Sequence, residues 1–199
     1  SSSLENISIP HNLGATPAFI LSKRLTTASW YVWHKDRGTG HLYLDTNSAL
    51  DVPGVADGDW STVDGTDIAT TGGGSGNGAF SNASYVFYAW AAVSGVSAFG
   101  TYTGNAGAKT ITYEGGNSFT AKFIMIKRTE GAAGWAILDS FRDGPGELTT
   151  GIYADLANAE ESIAAWGTTP TSTGFTFDSG TTNVNINNDG STYIYCAFA

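Results

Sequence analysis

Three residue sets in this chain have side chains able to do chemistry. The first is His11, His34 and His41, the only histidines in 199 residues. His34 and His41 lie seven apart with a Gly-rich turn between them, so they are expected to face each other across a hairpin. A zinc site needs three or four converging ligands with close local spacing, which this set lacks, and the expectation is solvent-facing strand residues. The second set is acidic: Asp57-Gly-Asp59, Asp64-Gly-Thr-Asp67 and the polar run Asn185–Asp189. Such loops offer oxygens to a structural calcium, but none has the calcium-loop spacing, and Asn188-Asp189-Gly190 reads as a turn with glycine at positive φ. No metal ligand set and no required cofactor follow from these residues.

The third set is aromatic. Tyr31, Trp33 and Tyr43 stand close to His34 along the chain. If Trp30 and Val32 face inward on a strand, Tyr31 and Trp33 point outward with His34 and Tyr43 beside them. An exposed aromatic patch of this kind serves subunit or neighbour-domain packing or the stacking of sugar rings, and burial within the module itself is the remaining alternative. Tyr31, Trp33, His34 and Tyr43 are therefore the candidate contact residues for a glycan or a protein partner.

Signatures of catalysis are missing. There is no Gly-x-Ser-x-Gly, and Gly72–Gly78 lacks the Lys-Ser/Thr and helix of a phosphate loop, so it reads as a flexible loop. A glycosidase pair cannot be selected from eighteen acidic residues. The single cysteine, Cys196, sits in an apolar segment and is expected to be a buried, inert thiol. No catalytic residues are assigned, and the expectation is a protein that is not an enzyme.

The elements that must position these residues occur twice. Ser84–Ala91 (SYVFYAWA) returns as Thr192–Ala199 (TYIYCAFA) at an offset of 108. Upstream, Phe19–Arg24 returns as Phe123–Arg128 at 104, Trp30 as Trp135 at 105, and Leu50 and Trp60 as Leu156 and Trp166 at 106. Offsets that drift by single residues between apolar segments indicate an internal duplication with loop insertions. It predicts two modules, residues 1–93 and 94–199, with Phe99–Asn105 as a leading strand of the second. The paired tryptophans then read as core anchors. The first module shows no counterpart to that leading strand, so the chain is expected to be a piece of a longer array, with a sheet edge that needs covering.

Short apolar runs broken by Gly and Asn every 8–12 residues, with 26 glycines, predict an all-β fold: two tandem jelly-roll-like sandwiches. The two closing segments, almost continuously apolar, read as central strands covered on both faces. Only Ala154–Trp166 has a helix-like composition, with Leu156, Ile163 and Trp166 able to share a face. Nine basic against eighteen acidic residues give a formal charge of −9 without a basic stripe, which argues against nucleic-acid binding. No apolar run is long enough for a membrane-inserted helix.

One resemblance adds to this reading. The run Ile7–Arg24, with His11-Asn-Leu-Gly14, Pro17 and Lys23, followed by Trp30-Tyr-Val-Trp-His34 and a closing Asn188-Asp-Gly-x-x-Tyr193 strand ending in Phe198-Ala199, resembles a domain found in tandem in tailed-phage virion proteins, many of them marine. The match is looser in the second half, where Glu114-Gly-Gly replaces the His-x-Leu-Gly segment and Asp139 falls near the His34 position. The resemblance implies a virion structural component of a tail fibre, spike or capsid surface, located on the extracellular particle. Its partners would be other virion subunits, including copies of itself, and its task assembly or host adsorption. The alternative is a carbohydrate-binding, lectin-like module of a phage or secreted protein that meets a cell-surface glycan.

Overall fold

The computed structural model describes residues 7–38, 40–52, 59–71, 83–162 and 164–199. Asp57, Gly72–Gly78, Ile163 and the Glu5 end of the first strand lie outside them. The protein is all-β, built from antiparallel sheets with one short helix. Its contacts divide it into two compact units, residues 1–44 with 50–91, and residues 45–49 with 92–199.

Unit 1 contains β1 (Ile7–Pro10), β2 (Phe19–Arg24), β3 (Trp30–His34), β4 (Leu42–Tyr43), β5 (Trp60–Val63), β6 (Asp67–Thr70) and β7 (Tyr85–Trp90). They form a sheet β4-β3-β2-β7 and a sheet β1-β6-β5. Ile20, Tyr31 and Trp33 of the first sheet pack with Trp60 and Ile68 of the second, so the core lies between two layers. This is sandwich packing, driven by removing the inner faces of both sheets from water.

Unit 2 contains β8 (Ser97–Thr103), β9 (Lys109–Thr112), β10 (Phe123–Arg128), β11 (Ala136–Asp139), helix α1 (Ser140–Asp143), β12 (Thr150–Tyr153), β13 (Glu161–Ser162), β14 (Thr168–Thr171), β15 (Gly174–Phe177) and β16 (Thr192–Phe198). The larger sheet runs β13-β12-β11-β10-β16-β8 and the smaller β14-β15-β9. Its core joins Ile124, Ile126, Leu138, Tyr193 and Tyr195 to Ile111, Phe175 and Phe177 across the two layers.

The two units repeat one wiring. In both, the strand that begins Phe-Ile pairs with the next strand on one side and with the closing strand on the other. The register agrees residue for residue: Phe19 opposes Trp90 and Arg24 opposes Tyr85, while Phe123 opposes Phe198 and Arg128 opposes Tyr193. The smaller sheets share the order as well, β1-β6-β5 against β9-β15-β14. The leading segment lies in unit 2, where β8 pairs with β16 from Thr103↔Thr192 to Ser97↔Phe198.

Several expectations need correction. The described residues 154–162 and 164–166 form no α-helix: Glu161 and Ser162 pair with β12, and Ala164–Trp166 is a single 3-10 turn. Thirteen residues of moderate helix propensity are marginal alone, and pairing with β12 together with burial of Trp166 wins. Of the closing strands, β16 is central and buried from Tyr193 to Ala197, whereas β7 stands last in the described order and Tyr88 is 46% exposed. Trp60, Trp135 and Trp166 are buried, but Trp30 is only half-buried. Cys196 is buried, and burial pushes its thiol far up in pKa, toward the unreactive protonated form.

Candidate functional site: a buried histidine between two aspartates

The facing of β3 is the reverse of the sequence expectation. Tyr31 and Trp33 are buried in the core of unit 1, not displayed on its surface. Both faces of this strand carry large apolar residues, so alternation alone could not choose between them. Pairing of Leu21 with Val32 and Ile20 with Trp33 sets which parity faces the second sheet. Trp30 takes the other face. There its ring lies 6.3 Å from Tyr88 at 28°, and Tyr88 lies 6.3 Å from Trp90 at 22°.

The histidines separate by the same parity. His34 is fully buried, edge-on to Phe19 at 6.3 Å, with its Nδ1 accepting the Asp36 N–H at 3.1 Å. His41 lies with Tyr31 and Tyr43, each ring centroid 5.0 Å away. An odd separation across a turn puts the two histidines on opposite faces, so the hairpin does not bring them together. His11 is a loop clasp: its Nε2 is 3.0 Å from the Asp64 carbonyl oxygen, and its Nδ1 accepts the Leu13 N–H at 3.4 Å.

His41 organises the densest polar cluster of unit 1. Its backbone pairs with Asp51 in both directions at 2.9 Å. Gly40, at φ +108°, makes that approach feasible, because a Cβ there would run into the Asp51 carbonyl oxygen. His41 Nε2 is 2.9 Å from the Tyr43 hydroxyl, which donates to Asp51 Oδ2 at 3.0 Å. On the other side of the ring, Nδ1 is 3.5 Å from Asp59 Oδ1. Neither of those two buried atoms has a hydrogen-bond partner.

Arg37 completes the cluster. Its Nε donates to the Gly40 carbonyl, its guanidinium sits 5.3 Å from the Trp33 ring centroid, and its NH2 is 3.9 Å from Asp59 Oδ2. Burial pulls this guanidinium down to about 10, and Asp59 draws it part of the way back. Of the four aromatic and histidine residues expected to act together, Tyr31 and Tyr43 meet here, Trp33 enters through Arg37, and His34 does not belong. Sequence spacing gives no sign of Asp51 or Arg37. The His-x-Tyr spacing at 41–43, which puts two polar rings on one strand face, is the one local signal of the cluster.

The acidic loops show turn chemistry. Asp64 Oδ1 accepts from the Thr66 and Asp67 N–H groups at 2.8 Å and from the Thr66 hydroxyl at 2.9 Å, and these bonds hold the carboxyl below its usual range. Gly190 takes φ +70°, as a turn glycine does. Among the described residues, no group of three or more His, Cys, Asp or Glu is arranged to hold a metal ion. No described helix is long and apolar enough to cross a membrane.

The fold and cluster define an all-β protein of two antiparallel sandwich units, one of them carrying a buried polar network. The whole chain, residues 1–199, matches a domain of unknown function, DUF7483, and belongs to that family. No curated protein and no solved structure matches it.

Proposed function

We propose that this chain is a non-enzymatic structural component of a tailed-phage particle, part of a tail fibre, spike or capsid surface, built by internal duplication of one β-sandwich module. The observation that carries the reading is the repeat of strand order and residue-level register in the two units. Units that preserve pairing while changing loop residues suit a role resting on stiffness and repetition. The low content of charged residues and the tandem motif of the first module point the same way. Mass spectrometry and immunogold labelling of purified particles test it: the chain is expected in intact, nuclease-treated particles at a stoichiometry that is a multiple of the particle's rotational symmetry. Its recovery only in the lysate, free of particles, overturns the proposal.

Carbohydrate binding is the second reading, favoured by the row Trp30–Tyr88–Trp90. These three nearly parallel rings replace the buried Tyr31 and Trp33 as the surface on which a sugar ring would stack. Glycan-array binding lost in Tyr88→Ala and retained in the core-neutral Val184→Ser is the expected result. Equal array profiles for wild type and Tyr88→Ala sink this reading.

A further inference from the structure

The His41 cluster contains an interaction that is geometrically prepared but unmade. The Tyr43 hydroxyl has one proton, and it goes to Asp51 Oδ2. Its contact with His41 at 2.9 Å must then use a proton on Nε2. In the neutral imidazole that leaves Nδ1 as a bare lone pair, 3.5 Å from the Asp59 Oδ1 oxygen. Two acceptors face each other, both buried, both without a partner. Adding one proton at Nδ1 turns this opposition into a charge-assisted hydrogen bond.

We propose that His41 and Asp59 form an acid-operated clasp between the two sheets of unit 1, open in the neutral imidazole and closed when His41 is protonated. The placement supports the mechanical part. His41 immediately precedes β4 of the larger sheet, and Asp59 immediately precedes β5 of the smaller one. Asp59 is itself fixed to the end of the neighbouring strand, donating its N–H to the Thr71 hydroxyl at 3.0 Å and accepting the Thr71 N–H at 2.7 Å. The clasp therefore pulls on anchored backbone.

Among the described residues, the charged and titratable groups around the ring are Asp59, Asp51, Tyr43, Arg37 and Tyr31, whose ring lies 5.0 Å away. Asp59 lies at Nδ1, Asp51 Oδ2 is 3.9 Å from Nε2, and Tyr43 bridges the two. Arg37 is the opposing cation, 3.9 Å from the far oxygen of Asp59. Among the described residues, two carboxylates against one guanidinium leave a surplus negative charge, which protonation of the imidazole neutralises.

Unit 2 carries a different proton-dependent contact. The position that matches His41 at an offset of 106 is Glu147. Slight desolvation and the neighbouring Asp178 carboxyl push Glu147 up. Two carboxylates bond only when one holds a proton. Carboxyls held low by hydrogen bonds, Asp178 by Thr181 and Asp64 by the Thr66 and Asp67 amides, act oppositely: their contribution is lost as pH falls through the carboxylate range.

The test reads the tautomer directly. Nitrogen-15 spectra of the imidazoles, with His41→Gln to identify the signal, are expected to show Nε2–H with bare Nδ1 at pH 8, and protonation at Nδ1 on acidification. In thermal melts, the gap between wild type and Asp59→Asn is expected to widen by roughly 5 °C or more from pH 8 to pH 5, with no widening in the His41→Gln background. An Nδ1–H tautomer at pH 8 means the bond already exists and overturns the proposal. So does a gap that stays constant or narrows with acid. If Asp59→Asn does not fold, the wild-type tautomer still decides.

Discussion

Replacement of Trp166 by alanine is expected to reduce the unfolding free energy of unit 2 by about 4 kcal/mol, the usual range for deleting a fully buried indole. The side chain has no exposed surface and belongs to the main core of this unit. Its ring lies 5.4 Å from that of Tyr153, and it fills the space over Gly151, where a Cβ would come within 2.9 Å of the indole. Little can collapse into the vacated volume, since glycine has no side chain to offer and β12 is held by its register with β11. Trp166→Phe is the informative control. The indole N–H is buried without a hydrogen-bond partner, so phenylalanine removes a polar liability along with the volume. Urea unfolding should therefore show a much smaller loss for phenylalanine than for alanine. Equal losses would mean that the volume phenylalanine retains does not stabilise this position, and would refute the cavity argument.

The second large effect has the opposite sign. Lys127→Met is expected to stabilise the protein at neutral pH by about 2 kcal/mol. Lys127 has no exposed surface, and burial lowers its ammonium to about 8, with Asp155 resisting and Arg128 assisting. A folded value near 8 against 10.5 unfolded disfavours the charged form in the native state by about 3 kcal/mol below pH 8. That penalty fades as pH rises from about 8 toward 10.5, because the unfolded chain then also gives up the proton. Loss of the bond from Nζ to the Arg128 carbonyl at 2.9 Å subtracts about 1 kcal/mol from the gain. The advantage of Lys127→Met over wild type should shrink across that interval. The buried tyrosines Tyr102 and Tyr113, raised by desolvation, cost stability at still higher pH in both proteins and cancel in the comparison. A variant less stable than wild type at pH 7 would refute the argument and give the lysine a net structural role.

Lys127 can be compared with the lysine at the matching place in β2. Its counterpart Lys23 turns its ammonium onto the backbone carbonyls of Arg24, Thr26 and Ala28, at 3.1, 3.3 and 2.8 Å. Both lysines sit on the strand that begins Phe-Ile and bond the carbonyl of the arginine that follows. Lys23 gathers three carbonyls, whereas, among the described residues, Lys127 reaches only the Arg128 carbonyl and is fully buried.

The sequence by itself determined the β class and the positions of the most apolar strands, because these depend on local alternation and turn residues, whereas the short strands β5, β6, β12, β13 and β14 carry too little apolar pattern to be read from it. Segments such as Phe123–Arg128 and Tyr193–Phe198 are placed by their apolar pattern alone. That pattern did not determine which face of β3 turns inward, since Trp30 and Val32 are as apolar as Tyr31 and Trp33, and only pairing with β2 breaks the symmetry. The fate of residues 154–166 was hidden for a similar reason: a weak helical preference yields to strand pairing that appears only when β12 is in place. The His41 cluster was the least legible part. Its members lie at positions 37, 41, 43, 51 and 59, on separate loops and strands, and no spacing rule connects them. Tertiary structure assembled it by bringing Asp51 onto the His41 backbone and Asp59 to the mouth of β5, where burial leaves one imidazole nitrogen and one carboxylate oxygen facing each other without a proton between them.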